Sequence, residues 1–127
     1  MATQDTCVSP APYFKAKAGK LAEFKTLCDQ MVQKTAEESG ALYCGFCFDG
    51  DEAYCREGYQ NAEAWLAHLG NIGAIFGEML KVADITRLEV SGPEAELVKV
   101  RKALSEMGMQ AKYFTLEYGV RKGLAGV

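Results

Sequence analysis

The feature that most constrains this chain is the run Ala41–Tyr59, ALYCGFCFDGDEAYCREGY. Two apolar, aromatic-rich stretches flank Asp49–Gly50, and Asp-Gly is the chemistry of a two-residue turn with positive φ. The run therefore predicts an antiparallel hairpin. With Asp49 and Gly50 as the two central residues, Phe48 pairs with Asp51, and counting back places Cys44 opposite Cys55. A one-residue bulge would move that register.

Around the hairpin the periodicity alternates between strand and helix. PYFKAKAG, from Pro12, reads as a first strand. Leu21, Phe24, Leu27, Cys28, Met31, Val32 and Thr35 fall on one face of a helix predicted from Lys20 to about Ser39, with Gly40 placed to end it. After the hairpin, Asn61 is a helix cap, and Gly70–Gly73 interrupt a helix that resumes through AIFGEMLKVA. DITRLEVS alternates Thr86, Leu88 and Val90 against Ile85, Arg87 and Glu89, the pattern of a half-buried strand. Pro93 then opens a third helix striped by Leu97, Val100, Leu104 and Met107 and closed by Gly108. AKYFTLEYG is the last strand. The order β-α-β-β-α-β-α-β is that of an α+β, ferredoxin-like βαββαβ unit, an antiparallel sheet with helices on one face, extended by one helix and one strand. Such a sheet leaves a tyrosine-bearing face in need of cover, which predicts a homodimer joined face to face.

The 127 residues are 49% hydrophobic, enough for one compact domain with its own core. Residues 1–11 read as a loose leader, 12–120 as the domain and 121–127 as a tail. The net charge of -3, with both signs interspersed, argues against nucleic acid, which needs a basic stripe. No apolar run is long enough for a bilayer, and MATQDTCVSP lacks the order of a secretion signal, so a cytoplasmic protein without membrane partners is expected. The five cysteines suggest reduced thiols. Cys44 and Cys47 form a C-x-x-C, but on a strand residues three apart face opposite ways and lie ~10 Å apart. There is no second Cys or His pair for zinc, so packing is the expected role and no metal site is expected.

Several of these residues together carry a resemblance. Gly19 and Phe24 in the first helix, ESGALYCGF, and REGYQNAEAWLAHL with Glu57, Tyr59, Ala62 to Ala64 and His68 make the chain similar to the antibiotic biosynthesis monooxygenase domain over about residues 12–91; the added elements, 92–120, lie outside it. The resemblance implies a dimeric α/β barrel. In members that are oxygenases it implies chemistry without metal or flavin, and hence no cofactor. The substrate would be an electron-rich quinol or polyphenol in an apolar cavity, which itself reduces oxygen once a proton has been taken from it. His68, the chain's sole histidine, is the candidate base, with Glu57 to orient or replace it. Tyr59 would wall the substrate. Arg56, Arg87 and Asn71 are candidate oxyanion donors, and Tyr13, Tyr43, Tyr54 and Tyr113 candidate lining. Arg56 and Glu57 are neighbours on a strand and must face opposite ways: the family pattern turns Glu57 and Tyr59 into a dimer-facing cavity, while alternation gives Tyr54 and Arg56 an equal claim. A carrier for an apolar ligand such as a lipid or polyketide remains the alternative function, and a haem binder coordinated by His68 a third.

Overall fold

The computed structural model describes residues 3–123, so residues 1–2 of the leader and 124–127 of the tail lie outside it. Five strands and four helices follow one another as β1 (Ser9–Ala16), α1 (Leu21–Thr35), β2 (Ala41–Asp49), β3 (Glu52–Tyr59), α2 (Ala62–Asn71), α3 (Gly73–Val82), β4 (Ala83–Gly92), α4 (Glu94–Glu106) and β5 (Lys112–Thr115). The sheet order is β2-β3-β1-β4-β5. The first four strands are antiparallel and make the ferredoxin-like core. β5 then joins β4 in parallel through α4, so the whole sheet is mixed.

The expected leader belongs to the fold. Val8 is fully buried and exchanges backbone hydrogen bonds with Tyr59, and β1 begins at Ser9 rather than Pro12. At the other end, Arg121 of the expected tail is anchored to Asp5 at 2.8 Å. α1 stops at Thr35, short of the predicted Ser39. Gly40 serves instead as a point of close approach, where a Cβ would lie 2.6 Å from that of Ala64 on α2.

The hairpin exists with a different turn. Asp49 pairs with Glu52, leaving Gly50 and Asp51 at the centre, and Gly50 takes φ of 62°. Glycine in the first central position is the II′ arrangement, which suits strand twist as well as the Asp-Gly alternative. The register moves with it: Cys44 lies opposite Glu57, not Cys55.

β1 runs through the centre of the sheet and yet carries Pro10 and Pro12. Its ladder with β3 consists of Tyr13–Lys15 against Tyr54–Glu52, with the separate Val8–Tyr59 bridge in the same register. That register puts Pro10 across from Glu57 and Pro12 across from Cys55, where neither has an N–H to give. The middle of the sheet is therefore unzipped beside Glu57.

Two apolar clusters fill the layer between sheet and helices. One gathers Phe14, Phe24, Met31, Ile72 and Met79, and the other Val8, Tyr59, Trp65, Leu97, Val100 and Leu104. Leu97, Val100 and Leu104 are the predicted α4 stripe, while Met107 lies half-exposed just past the helix. Replacing Gly40 with alanine is expected to wedge α2 off β2 and cost about 1–3 kcal/mol. A urea midpoint lowered at unchanged slope would show it.

Candidate functional site

Between the two clusters is a cavity of about 210 Å³. Its walls are Pro10, Pro12 and Phe14 of β1, Phe46, Trp65, Leu69, Ile72 and Phe76, with Met107 and Met109 from the segment after α4. That is room for a small ring system, since an apolar cavity near 150 Å³ accepts benzene. The polar groups reaching this wall are Glu57 and His68. Phe76, Ile85, Leu88 and Met109 also line a broader groove of about 690 Å³ along α3 and β4, so the chamber opens there. The segment that joins the added helix to the added strand thus helps to enclose the site, a role the sequence reading could not assign it.

Helix α2 brings His68 in. Asn61 caps it as expected, accepting from the Ala64 N–H at 2.9 Å, and the buried Glu96 of α4 accepts from the Ala62 N–H at 2.9 Å. Two carboxylate or amide oxygens at a helix start satisfy orphan donors and oppose the dipole. Glu57 comes from β3, whose regular alternation turns Cys55, Glu57 and Tyr59 to the helices.

These side chains form one chain of contacts. The Tyr59 hydroxyl donates to Glu57 Oε1 at 2.6 Å. Glu57 Oε1 lies 3.5 Å from His68 Nε2. On the other side of the ring, His68 Nδ1 lies 2.9 Å from Glu38 Oε2, and the Asn71 amide donates to that same oxygen at 2.8 Å. A carboxylate held at Nδ1 selects the tautomer with its proton there, leaving Nε2 to face Glu57. Glu57 is only 5% exposed, and burial pushes its carboxyl up to about 7, against the lowering pull of the Tyr59 and Cys55 hydrogen bonds. Burial likewise lowers the His68 imidazole, opposed by Glu38. Near neutrality, Glu57 and Nε2 are thus poised to share one proton in an apolar chamber.

The structure unites Glu57, His68, Tyr59 and Asn71, and adds Glu38, which the sequence reading missed. Glu38 lies in the turn after α1, 30 residues from its partner, where no spacing rule reaches. Tyr59 and Asn71 support the pair from behind and do not reach the chamber wall, contrary to the expectation that Tyr59 walls the substrate. The other expected lining residues are elsewhere. Tyr13 stacks on Tyr54 at 5.3 Å and carries Arg87 over its ring at 3.9 Å. Arg56 lies over Tyr43. All five occupy the sheet face away from the helices. Tyr113 packs beside Arg101 at the second apolar cluster, outside the chamber wall. The conflict between Arg56 and Glu57 is resolved by side: Glu57 and Tyr59 face the helices, not a dimer-facing cavity. Gly58 between them lies under the Tyr43 ring, which a Cβ would strike.

No family model matches the sequence, and no curated protein does. Among solved structures, SnoaB, a cofactor-independent oxygenase from Streptomyces nogalater, is 13% identical with a TM-score of 0.58, over 67% of this chain and 88% of SnoaB. A candidate antibiotic biosynthesis monooxygenase from Chloroflexus aurantiacus is 12% identical with a TM-score of 0.59, over 68% of this chain and 92% of its own. The chain shares the fold of these antibiotic biosynthesis monooxygenase-like structures. MupZ from Pseudomonas fluorescens is 36% identical with a TM-score of 0.88, over 96% of this chain and 94% of MupZ, and this protein belongs to the family that contains MupZ.

The raised Glu57 carboxyl has a consequence for stability. Its contribution is full below the ordinary carboxyl value of 4.5 and is lost as pH rises through about 7, because the folded state holds the proton longer. The loss is on the order of 3 kcal/mol at most. Glu57→Gln is expected to abolish it, so the variant should gain stability over the parent at pH 8 and not at pH 4. Denaturant midpoints across that range check this. His68 acts in the opposite sense, since its folded value is depressed: its contribution is lost as pH falls below the ordinary imidazole value.

Proposed function

We propose that this protein is an enzyme of acid–base chemistry on a small, flat, apolar substrate, and that its reaction is a cofactor-independent monooxygenation of an electron-rich phenol or quinol. The observation that carries the proposal is the Glu57–His68 pair, buried at the wall of an otherwise apolar chamber and backed by Glu38 on the far side of the imidazole. A passive container for a lipid or polyketide has no need of it. Burying ionisable groups costs several kcal/mol unless they are well paired, and apolar residues would fill the space better. Haem is poorly served as well, because both nitrogens of His68 already face carboxylates.

The relay takes a proton from the substrate. His68, oriented by Glu38, and Glu57 form the base, and the substrate anion that remains is a far stronger reductant. Electrons then pass from that anion to dioxygen. For a methylene flanked by aromatic rings, one oxygen atom becomes the new carbonyl oxygen and the other leaves with the two displaced hydrogens as water. The protonated relay supplies the donor near developing oxyanion charge, while the Tyr59 hydroxyl, committed to Glu57, holds that carboxylate in place. The fold shared with SnoaB supports the oxidative form. Glu57 and His68, 3.5 Å apart, would equally supply an acid and a base to one substrate for a reaction without oxygen uptake.

An oxygen electrode with a panel of anthrones and quinols separates these forms. Uptake equal to product formed is expected; turnover without uptake assigns the site to non-oxidative proton transfer, and no turnover of any panel member counts against the oxygenase. Glu57→Gln and His68→Ala should each lower the rate ~100-fold or more. With Glu57 as base, kcat/KM should rise with pH through about 7. The protein is further proposed to be a homodimer, its outer face of Tyr13, Tyr43, Tyr54, Arg56 and Arg87 covered by a second copy. Light scattering at micromolar concentration should give twice the chain mass; a monomer refutes it.

A further inference from the structure

Behind Glu57 lie two thiols that the proposed reaction does not use. Cys44 and Cys55 bring their sulfurs to 3.6 Å, and both sulfurs and a Glu57 oxygen fall within 4.8 Å of one another. We propose that these three side chains form a binding site for one thiophilic divalent cation, zinc by its chemistry.

Geometry separates this from a disulfide. Cys44 is opposite Glu57 and Cys55 opposite Phe46, so the two cysteines are a diagonal pair on neighbouring strands. Diagonal Cα atoms lie ~7–8 Å apart, beyond the ordinary reach of a disulfide. A tetrahedral zinc with bonds of ~2.3 Å to two sulfurs holds those sulfurs ~3.8 Å apart, close to the spacing present without any backbone movement. The donors are also of the right kind: two soft sulfurs and one carboxylate, leaving a fourth position open. Access exists, since Cys44 is half-exposed and lines a surface hollow of about 180 Å³ together with Glu38, Thr35 and Tyr43. That hollow is separate from the substrate chamber. An ion in it meets Glu38 and Cys44, with Cys55 buried behind them.

Binding exchanges protons for metal. Each thiol releases its proton to buffer as its sulfur bonds the ion, and Glu57 releases whatever proton it carries; nothing is oxidised. The site itself does not depend on the catalytic reading. If that reading holds, the ion draws Glu57 out of proton transfer and so inhibits.

The test is titration of the reduced protein with cadmium, read by thiolate-to-cadmium absorption, and with zinc by calorimetry in two buffers of different ionisation heat. One ion per chain is expected, with about two protons released. Cys44→Ser and Cys55→Ser should each weaken binding ~100-fold or more, while Cys47→Ser, on the outer face, leaves it unchanged. Saturation without a thiolate band, or a band that survives both serine variants, overturns the site. So does loss of the two thiols to a bond that makes the untreated chain two hydrogens lighter. The titration on the parent protein decides even where a variant fails to fold, and it contains no substrate, so it stands apart from any failure to consume oxygen.

Discussion

Everything at the site follows from holding an ionisable group, Glu57, in the apolar layer between a sheet and its helices. A sheet centre normally closes by hydrogen bonding, and its side chains then pack against the covering helices without a gap. Here Pro10 and Pro12 remove the donors on the strand facing Glu57 and Cys55, and both rings line the chamber. Strand β1 keeps its place because it pairs with β4 along its length and with β3 at both ends of the gap. The prolines thus open space in the middle of the fold without breaking it.

That space is tolerable only because its polar residents satisfy one another. Tyr59 gives Glu57 a short hydrogen bond, His68 faces Glu57, and Glu38 with Asn71 secures the far side of the imidazole. Losing any member leaves a buried partner unpaired, which costs more than the bond itself contributed. The cluster rests in turn on the start of α2, held by Asn61 and by Glu96 from the added helix. α4 therefore acts twice, in packing Leu97, Val100 and Leu104 against the Tyr59–Trp65 cluster and in setting the entry of the histidine-bearing helix.

Much of this was legible in the sequence. The element order, the Asn61 cap, the break at Gly70–Gly73 and the α4 stripe followed from local periodicity and capping chemistry, which act over a few residues. The hairpin was legible but its turn was not: Asp49–Gly50 and Gly50–Asp51 both satisfy turn chemistry, and the choice shifts every cross-strand pair. Glu57, His68 and Tyr59 emerged from their motif and do meet, whereas Tyr13, Tyr43, Tyr54, Arg56 and Arg87 were drawn in as aromatic or cationic residues and lie on the opposite sheet face. Residue type does not report which side of a sheet a chamber occupies.

By itself the sequence determined which segments become strands and helices, and that one α+β unit results, because backbone preference and hydrophobic spacing are properties of neighbouring residues. Only the tertiary structure decided that the chamber lies beneath the helices, that Glu38 orients His68, and that two cysteines meet behind Glu57. Those outcomes depend on strand register and on the angle at which α2 crosses the sheet, and both are set by contacts between residues far apart along the chain.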